Sequence, residues 1–455
     1  MKTGFAISDI TPDLGIYLTG YGRPERLATS VHSPLTATAM FLEGGGTQAV
    51  VIGLDWCFVD WELTKSIRKA IHDATDIPEQ HVLLCCSHTH SAPHTTYMRT
   101  LGRIAVDPEN KGIDYVFKSM PAIVDAVKRA RDSARECEAG FAACKTNACT
   151  SRRGTDENGK VTFFLCDDDL IHDDNLTAVL FRERETGQPL GIFIHASGHN
   201  TALGGYDTSI SSDWCGVMKS RIRDTFNVPV LFANGGFGDM GPRSNRWTQN
   251  ETSKGYSAGG GSGPVTAEAV GLVAATDALR ALADIRDFRS QLPLAVKVGE
   301  IHMPQALSMS EEDAKAVVAS FDSTVENQAE PDLKYQIAKA ILAEYRKPPQ
   351  PELVFEQTIV SFGPLALVPF PFEVFSTYSL RLRKYGPFQY SLVCGNTNGR
   401  NAYLPDKGAF AVGGYEPECL KTIRPYVIKP EAGDLAVTQS LAMLRRMWKD
   451  AMSSC

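Results

Sequence analysis

The chain has 455 residues, of which 43% are hydrophobic and 22% are charged, and its formal net charge is −7. This composition is typical of a globular protein, and the acidic balance argues against nucleic acid as a partner because phosphate binding needs basic patches. No apolar run is long enough to cross a membrane, and the first residues, MKTGFAISD, lack the apolar stretch of a signal peptide. We therefore expect a cytoplasmic protein with no membrane partner.

The 11 cysteines include no CxxC pair, and several lie within apolar runs. This pattern predicts reduced thiols in the protein core rather than a disulfide framework. For the same reason, a zinc site built on thiolates is not expected.

Apolar runs alternate with amphipathic segments over roughly the first 290 residues. The runs predict buried strands at 49–55, 82–86, 191–195 and 228–234, and the periodic segments predict helices at 62–74, 120–138, 214–226 and 265–285. Continuous apolar strands between helices indicate α/β layering. The glycine-rich stretch 255–264 lacks the Lys-Ser/Thr pattern of a phosphate loop, so it is interpreted as a surface loop or lid.

The sequence changes character from about residue 292. Residues 294–303 alternate at period two, which predicts a half-exposed strand, and 308–345 reads as two polar helices. A helical tail covers 434–452, and there is no internal repeat of fixed period. The fold class expected is α/β, with mixed and parallel sheets layered with helices.

The segment SHTHSAPH at 87–94 follows the predicted strand 82–86. His88 and His90 are two residues apart on extended chain, so their side chains point to the same side. A strand end of this kind faces a cleft, where α/β proteins usually hold ligands. A histidine-rich loop without a metal is the alternative reading.

Two later segments repeat this design. The run GIFIHASGHN at 191–200 is an apolar strand that ends in His195, and Glu373 follows the apolar run 365–370. A buried carboxylate is costly without a cation or hydrogen bonds, and two imidazoles plus one carboxylate form a common catalytic zinc shell. We therefore predict one Zn²⁺ held by His88, His195 and Glu373. Because Glu373 comes from the later part of the chain, residues 1–455 are predicted to form one integrated catalytic domain.

Three glycine- and asparagine-rich loops are candidates for ligand contact. The loop 234–243 follows a strand, and its Asp239 could orient a ligand histidine or accept a proton, although a tight turn with a structural aspartate is the alternative. The loops 396–405 and 413–417 carry Tyr403 and Tyr415, which could line a pocket, donate to an oxyanion or ligate a metal.

The ordered set of motifs resembles the catalytic domain of the neutral, non-lysosomal ceramidases. The set comprises DITP at 9–12, VHSPL at 31–35, HTHS at 88–91, the strand histidine at 195, Gly238-Asp239, PFE at 371–373 and GYE at 414–416. The resemblance spans nearly the whole chain and implies amide hydrolysis with one zinc ion. It implies that His88, His195, Glu373 and Tyr415 are the zinc ligands and that His90 is a catalytic histidine beside them. It also implies a substrate contact at Arg153 or its neighbour Arg152.

Two departures from the family pattern bear on the substrate. The family's Gly-Asp-Val-Ser-Pro carries a serine implicated in catalysis, whereas this chain has Gly241 at that position, so a metal-activated water is the expected nucleophile. From the sequence we also expect neither the family's C-terminal immunoglobulin-like domain nor an export signal. We therefore expect a zinc hydrolase that cleaves an amide of a small polar substrate, such as a sugar-, cyclitol- or carboxylate-containing molecule, rather than ceramide.

His90 and Asp239 are the predicted catalytic residues in this reading. The predicted substrate-binding residues are polar side chains suited to such a ligand: Arg152, Arg153, Arg243, Asn398, Arg400 and Tyr403. The alternatives are the same metal site acting on an ester, lactone or glycosidic bond or as a lyase, and a zinc-binding homologue without catalysis. Homo-oligomerisation is left open.

Overall fold

The computed structural model describes residues 1–21, 26–97, 100–101, 104–105, 107, 109–162, 166–243, 262–320 and 333–453. Of the glycine-rich stretch interpreted as a lid, residues 255–261 lie outside the described residues. Among the residues described, no helix is long and apolar enough to cross a membrane.

The strands, in chain order, are β1 (Lys2–Asp9), β2 (Ser30–Val31), β3 (Thr36–Gly44), β4 (Thr47–Leu54), β5 (Val82–Cys86), β6 (Thr100–Leu101), β7 (Ile104–Ala105), β8 (Arg135–Lys145), β9 (Cys149–Ser151), β10 (Asn175–Glu183), β11 (Pro189–Ala196), β12 (Ser209–Ile210), β13 (Val230–Asn234), β14 (Met240–Pro242), β15 (Leu294–Leu307), β16 (Glu352–Phe362), β17 (Leu365–Pro369), β18 (Glu373–Val374), β19 (Tyr390–Cys394), β20 (Tyr403–Leu404) and β21 (Tyr426–Ile428). The helices are α1 (Trp61–Thr75), α2 (Lys111–Asp132), α3 (Asp213–Phe226), α4 (Pro264–Ala283), α5 (Glu311–Ala319), α6 (Leu333–Glu344), α7 (Ser376–Tyr385), α8 (Lys407–Val412), α9 (Tyr415–Ile423) and α10 (Ala432–Ser453).

The larger sheet has eight strands in the order β13-β11-β10-β8-β1-β3-β4-β5. Its two ends are parallel pairs, β11 with β13 and β4 with β5, and the strands between them are antiparallel. The sheet is strongly curved, because β13 contacts β5 although the two strands lie at opposite edges. This curvature brings the carboxyl ends of both parallel pairs together.

The smaller sheet has five strands in the order β19-β17-β16-β15-β21, with β17 and β19 parallel. It covers the inner face of the curved sheet, since one buried cluster combines Val51, Leu83 and Phe193 of the larger sheet with Phe362 and Leu392 of the smaller. The hydrophobic core between the sheets therefore joins the early and late parts of the chain.

Helices cover the outer faces of both sheets. α1 and α2 pack on one half of the larger sheet and α3 and α4 on the other, while α7 and α10 pack on the far side of the smaller sheet. In each strand of the larger sheet, alternate residues face the helices and the core between the sheets, which explains the continuous apolar runs. The predicted mixed α/β fold layered with helices is confirmed.

Most predicted elements occur within a few residues of their expected bounds, including the half-exposed strand β15 and the helices α5 and α6. The helix predicted at 120–138 is wrong at both ends, because α2 spans Lys111–Asp132 and β8 begins at Arg135. Cys137 and Ala139 are buried at the two-residue spacing of a strand, and they pack in the core between the sheets.

Candidate metal centre

Three side chains from separate parts of the chain converge in a buried cluster, which we call the His/Glu cluster: His88, His199 and Glu373. Nε2 of His88 lies 3.4 Å from Oε2 of Glu373, and Nε2 of His199 lies 3.1 Å from the same oxygen. One donor atom from each residue lies within 4.8 Å of the others. These distances are short enough for one cation to contact all three groups.

His88 stands two residues beyond the end of β5. Its backbone has a φ of 68°, in the left-handed region that a residue other than glycine rarely adopts. The backbone N–H of His88 donates to the carbonyl of Trp56, and ring Nδ1 lies 2.9 Å from the carbonyl of Cys57. These contacts hold the imidazole with Nε2 turned towards Glu373.

His199 lies three residues beyond the end of β11. Its Nδ1 is 2.9 Å from the carbonyl of Phe237 and 2.8 Å from that of Met240. Because both neighbours can only accept, Nδ1 carries the proton, and Nε2 presents a lone pair to Glu373. A ligand histidine whose second nitrogen donates to a main-chain carbonyl is a regular feature of metal sites.

Glu373 begins β18, and its N–H donates to the carbonyl of Ala402 beside β20. The loop that carries Phe237 and Met240 approaches this strand closely. A Cβ at Gly238 would lie 2.3 Å from the carbonyl oxygen of Glu373, so only glycine fits there. The loop therefore orients His199 and supports Glu373 at the same time.

The charges within the cluster favour a cation. Burial would raise the pKa of Glu373, but the neighbouring His88 and His199 hold it well below its usual value. Burial, together with the charge of Arg152, lowers the pKa of His199 to about 3, so this imidazole is neutral. Burial would also lower the pKa of His88, but Cys57 and Glu373 raise it to about 10. The buried carboxylate thus needs a positive charge beside it, either a proton on His88 or a metal ion, and the donor set fits Zn²⁺.

Residues 1–252 match the family described as neutral/alkaline non-lysosomal ceramidase, N-terminal. The chain belongs to this family. The matched segment contains His88 and His199, whereas Glu373 lies beyond it.

Two solved structures share the fold of the chain. The crystal structure of neutral ceramidase from Pseudomonas aeruginosa matches with a TM-score of 0.72 and 15% identity, over 97% of this chain and 74% of that one. A ceramidase complexed with C2 matches with a TM-score of 0.74 and 15% identity, over 99% of this chain and 75% of that one. A search of curated protein sequences found no significant match.

His195, which the sequence analysis assigned as a zinc ligand in this ceramidase-family chain, does not lie in the His/Glu cluster. It lies inside β11, on the same face as Phe193, and its Nε2 is 2.6 Å from the carbonyl of Val393 in the smaller sheet. Burial lowers the pKa of His195 to about 4, so it is a neutral histidine packed between the sheets. The histidine that joins His88 and Glu373 is His199.

The position of the strand end distinguishes the two histidines. β11 ends at Ala196, so His195 is fixed by the pleat while His199 lies in the loop that follows. His88 and His199 both lie two or three residues past a strand, and this shared offset was a signal in the sequence. The sequence analysis chose His195 because it directly follows the apolar residues 191–194. In the structure the strand itself continues one residue further, to Ala196.

His90 also points at the cluster, with its Nε2 3.1 Å from Nε2 of His88. Burial lowers its pKa well below the usual value, and the charges of His88 and His199 add to this effect. Among the described residues, ring Nδ1 of His90 has no hydrogen-bond partner. His90 is therefore a neutral imidazole beside the candidate ligands, and its catalytic role stays a prediction.

Asp239 lies in the loop that orients His199, but its carboxylate faces another element. Oδ1 accepts from the N–H of Ser376 and Oδ2 from its hydroxyl, both at 2.7 Å, so Asp239 binds the start of α7. Burial raises the pKa of Asp239 to about 7. The main-chain carbonyls of Phe237 and Met240 contact His199, and the Asp239 side chain does not.

Arg152 and Arg153 both pair with the buried Glu416. Arg152 Nε lies 3.1 Å from Glu416 Oε1, and its Nη2 donates to the carbonyl of Gly238 and contacts the hydroxyl of Tyr403. Arg153 pairs with the second oxygen of Glu416. Through Arg152 these contacts connect α9 with the loop that orients His199. Substrate contact by Arg152 or Arg153 stays a prediction.

The two tyrosines assigned to the site lie beside it. The ring of Tyr403 stacks 6.4 Å from that of His199, and Tyr415 contacts Tyr403 edge to face at 5.8 Å. Burial raises the pKa of Tyr415. The assignment of Tyr415 as a metal ligand stays a prediction.

The other predicted substrate-binding residues contact neighbouring parts of the fold. Arg243 pairs with Asp168, and Arg400 stacks over the ring of Phe58 at 4.1 Å. The side-chain oxygen Oδ1 of Asn398 accepts a hydrogen bond from the backbone N–H of Leu84 in β5. Substrate contact by these residues also stays a prediction.

Proposed function

We propose that this protein is a zinc-dependent hydrolase whose ion is held by His88, His199 and Glu373. The proposal is supported above all by the orientation of the donors: main-chain carbonyls bind Nδ1 of both histidines, so their Nε2 atoms face a buried carboxylate. A zinc ion at such a site supplies a Lewis acid that activates water at neutral pH.

The protein's own residues have separate tasks in this proposal. His90 transfers a proton at the reacting centre through Nε2, which lies 3.1 Å from Nε2 of His88. Tyr415 completes the ligand set or binds the substrate carbonyl from the α9 side. Gly241 offers no hydroxyl, which supports a water rather than a side chain as the nucleophile.

The bond proposed is an amide, because the chain belongs to the ceramidase family and the relative of known structure is named a neutral ceramidase. The substrate proposed is small and polar rather than long-chain ceramide. Support comes from Arg243 and Arg400, which lie in the loops that also contain Met240 and Asn396 beside the ligand histidines.

The test is hydrolysis of a panel of N-acylated sugars, cyclitols and amino acids, with matched esters and a long-chain ceramide. We expect turnover of a small polar amide that a chelator abolishes and zinc restores, and we expect Glu373→Gln to be inactive. Activity that survives complete removal of metal would contradict the zinc proposal. A kcat/KM of about 10⁴ M⁻¹s⁻¹ or more on long-chain ceramide would contradict the substrate proposal.

A further inference from the structure

A buried thiol lies on the opposite edge of the His88 ring from Glu373. Sγ of Cys57 is 3.4 Å from Nδ1 of His88, whereas Glu373 faces Nε2 of the same ring. Cys57 follows β4 by three residues and is fully buried. One donor atom each from Cys57, His88 and His90 lies within 4.8 Å of the others. These three residues form a second group of potential ligands, which we call the Cys/His group.

We propose that the Cys/His group is a second cation position, selective for thiophilic ions such as Cd²⁺ or Cu⁺. A thiolate and two imidazoles are softer donors than the imidazoles and carboxylate of the His/Glu cluster. When the ion binds, the S–H bond of Cys57 and the Nδ1–H bond of His88 break, the sulfur–metal and nitrogen–metal bonds form, and both protons leave to solvent. No electron transfer is involved.

The two groups are coupled because His88 belongs to both. An ion at the Cys/His group engages His88 and His90, so it competes with binding of zinc at the His/Glu cluster and occupies the proposed proton-transfer histidine. The inference goes beyond the proposed function, since it assigns an inhibitory metal site. The ligands of the Cys/His group come from two separate segments of the chain. The absence of a CxxC pair in the sequence therefore does not exclude a site of this kind.

The test is titration of the metal-free protein with Cd²⁺ while the near-ultraviolet thiolate-to-cadmium charge-transfer absorption is recorded. We expect an absorption that saturates at one ion per chain and is lost in Cys57→Ser. Cys137→Ser is the matched control, because Cys137 is equally buried but bonds the carbonyl of Met1 away from the site; it should keep the absorption. His90→Ala should weaken cadmium binding.

His199→Ala separates this inference from the proposed function. His199 belongs only to the His/Glu cluster, so this variant should lose zinc and keep the cadmium absorption. A wild-type protein that is saturated with Cd²⁺ without the absorption would overturn the inference, as would an unchanged absorption in Cys57→Ser. Zinc retained by His199→Ala would instead count against the proposed function.

Discussion

Main-chain carbonyls determine which ring nitrogens of His88 and His199 can bind a metal ion. The carbonyls of Phe237 and Met240 both contact Nδ1 of His199, and the carbonyl of Cys57 contacts Nδ1 of His88. Because a neutral imidazole donates from one nitrogen and accepts at the other, the proton on Nδ1 leaves Nε2 as the ligand atom. The main-chain carbonyls thus fix the Nδ1 proton of both rings. Nε2 of the neutral His199 is ready to bind a metal ion, whereas an ion would replace the proton that His88, with its raised pKa, carries on Nε2.

At the scale of the residue, His90 is the side chain whose removal should separate catalysis from metal binding. It points at the cluster but is not one of its three members. We expect His90→Ala to keep zinc at the level of the wild type, by elemental analysis, while kcat falls by roughly 10²–10⁴. Loss of zinc together with activity in this variant would instead make His90 a ligand.

At the scale of the element, the loop between β13 and β14 is the structural support of the site. Gly238 approaches Glu373 so closely that a Cβ would lie 2.3 Å from its carbonyl oxygen, and its N–H donates to Val374 at 2.7 Å. We expect Gly238→Ala to shift β18, to lower the affinity for zinc and to lower stability by roughly 1–3 kcal/mol, as overpacking does. Zinc titration and urea unfolding measure both effects.

The matched control is Gly241→Ala, in strand β14 directly after this loop. A Cβ at Gly241 would meet only the side chain of Arg152, at 3.5 Å, which is an ordinary contact. This variant should therefore keep both zinc affinity and stability. Equal losses in the two alanine variants would show that this segment tolerates no added side chain, and that the close approach of Gly238 to β18 is not the cause.

The loops show where prediction from the sequence stops. Strand ends and polar motifs were sufficient to place His88 and Glu373 at one site, because both follow apolar runs. They were not sufficient to choose between His195 and His199, since that choice depends on where β11 ends and on the curvature that joins the sheet edges. The sequence predicts ligand contacts for Arg152 and Asn398, and these contacts stay a prediction; it does not predict the hydrogen bonds that join the two side chains to Glu416 and Leu84.

At the scale of the whole molecule, Asp173 joins the early and late parts of the chain. It pairs with Arg383 of α7 at 2.7 Å and accepts from Ser379 of the same helix and from Ser197. Burial alone would raise the pKa of Asp173, but Arg383 and these hydrogen bonds lower it to about 2. The alternation of strands and helices in the sequence predicted the layered α/β fold. The buried contact between Asp173 and Arg383 could not be predicted in this way, because a contact between distant residues produces no periodic pattern in the sequence.

This contact should make stability depend on pH. A folded-state pKa near 2, below the unfolded value of about 3.9, contributes stability that is present above pH 4 and lost as the pH falls towards 2. We expect the difference in unfolding free energy between wild type and Asp173→Asn to shrink by roughly 2–3 kcal/mol from pH 5 to below pH 2. Urea unfolding across this range measures it, and a constant difference would contradict the account.

The zinc content of two variants tests the central claim most directly. His199 lies in the His/Glu cluster, and His195 lies four residues away in the same segment but contacts the carbonyl of Val393. After zinc loading and removal of excess metal, we predict one zinc ion per chain in the wild type and in folded His195→Ala, and little or none in His199→Ala. Full zinc occupancy in His199→Ala, or loss of zinc in folded His195→Ala, would contradict the assignment of His88, His199 and Glu373 as the metal site.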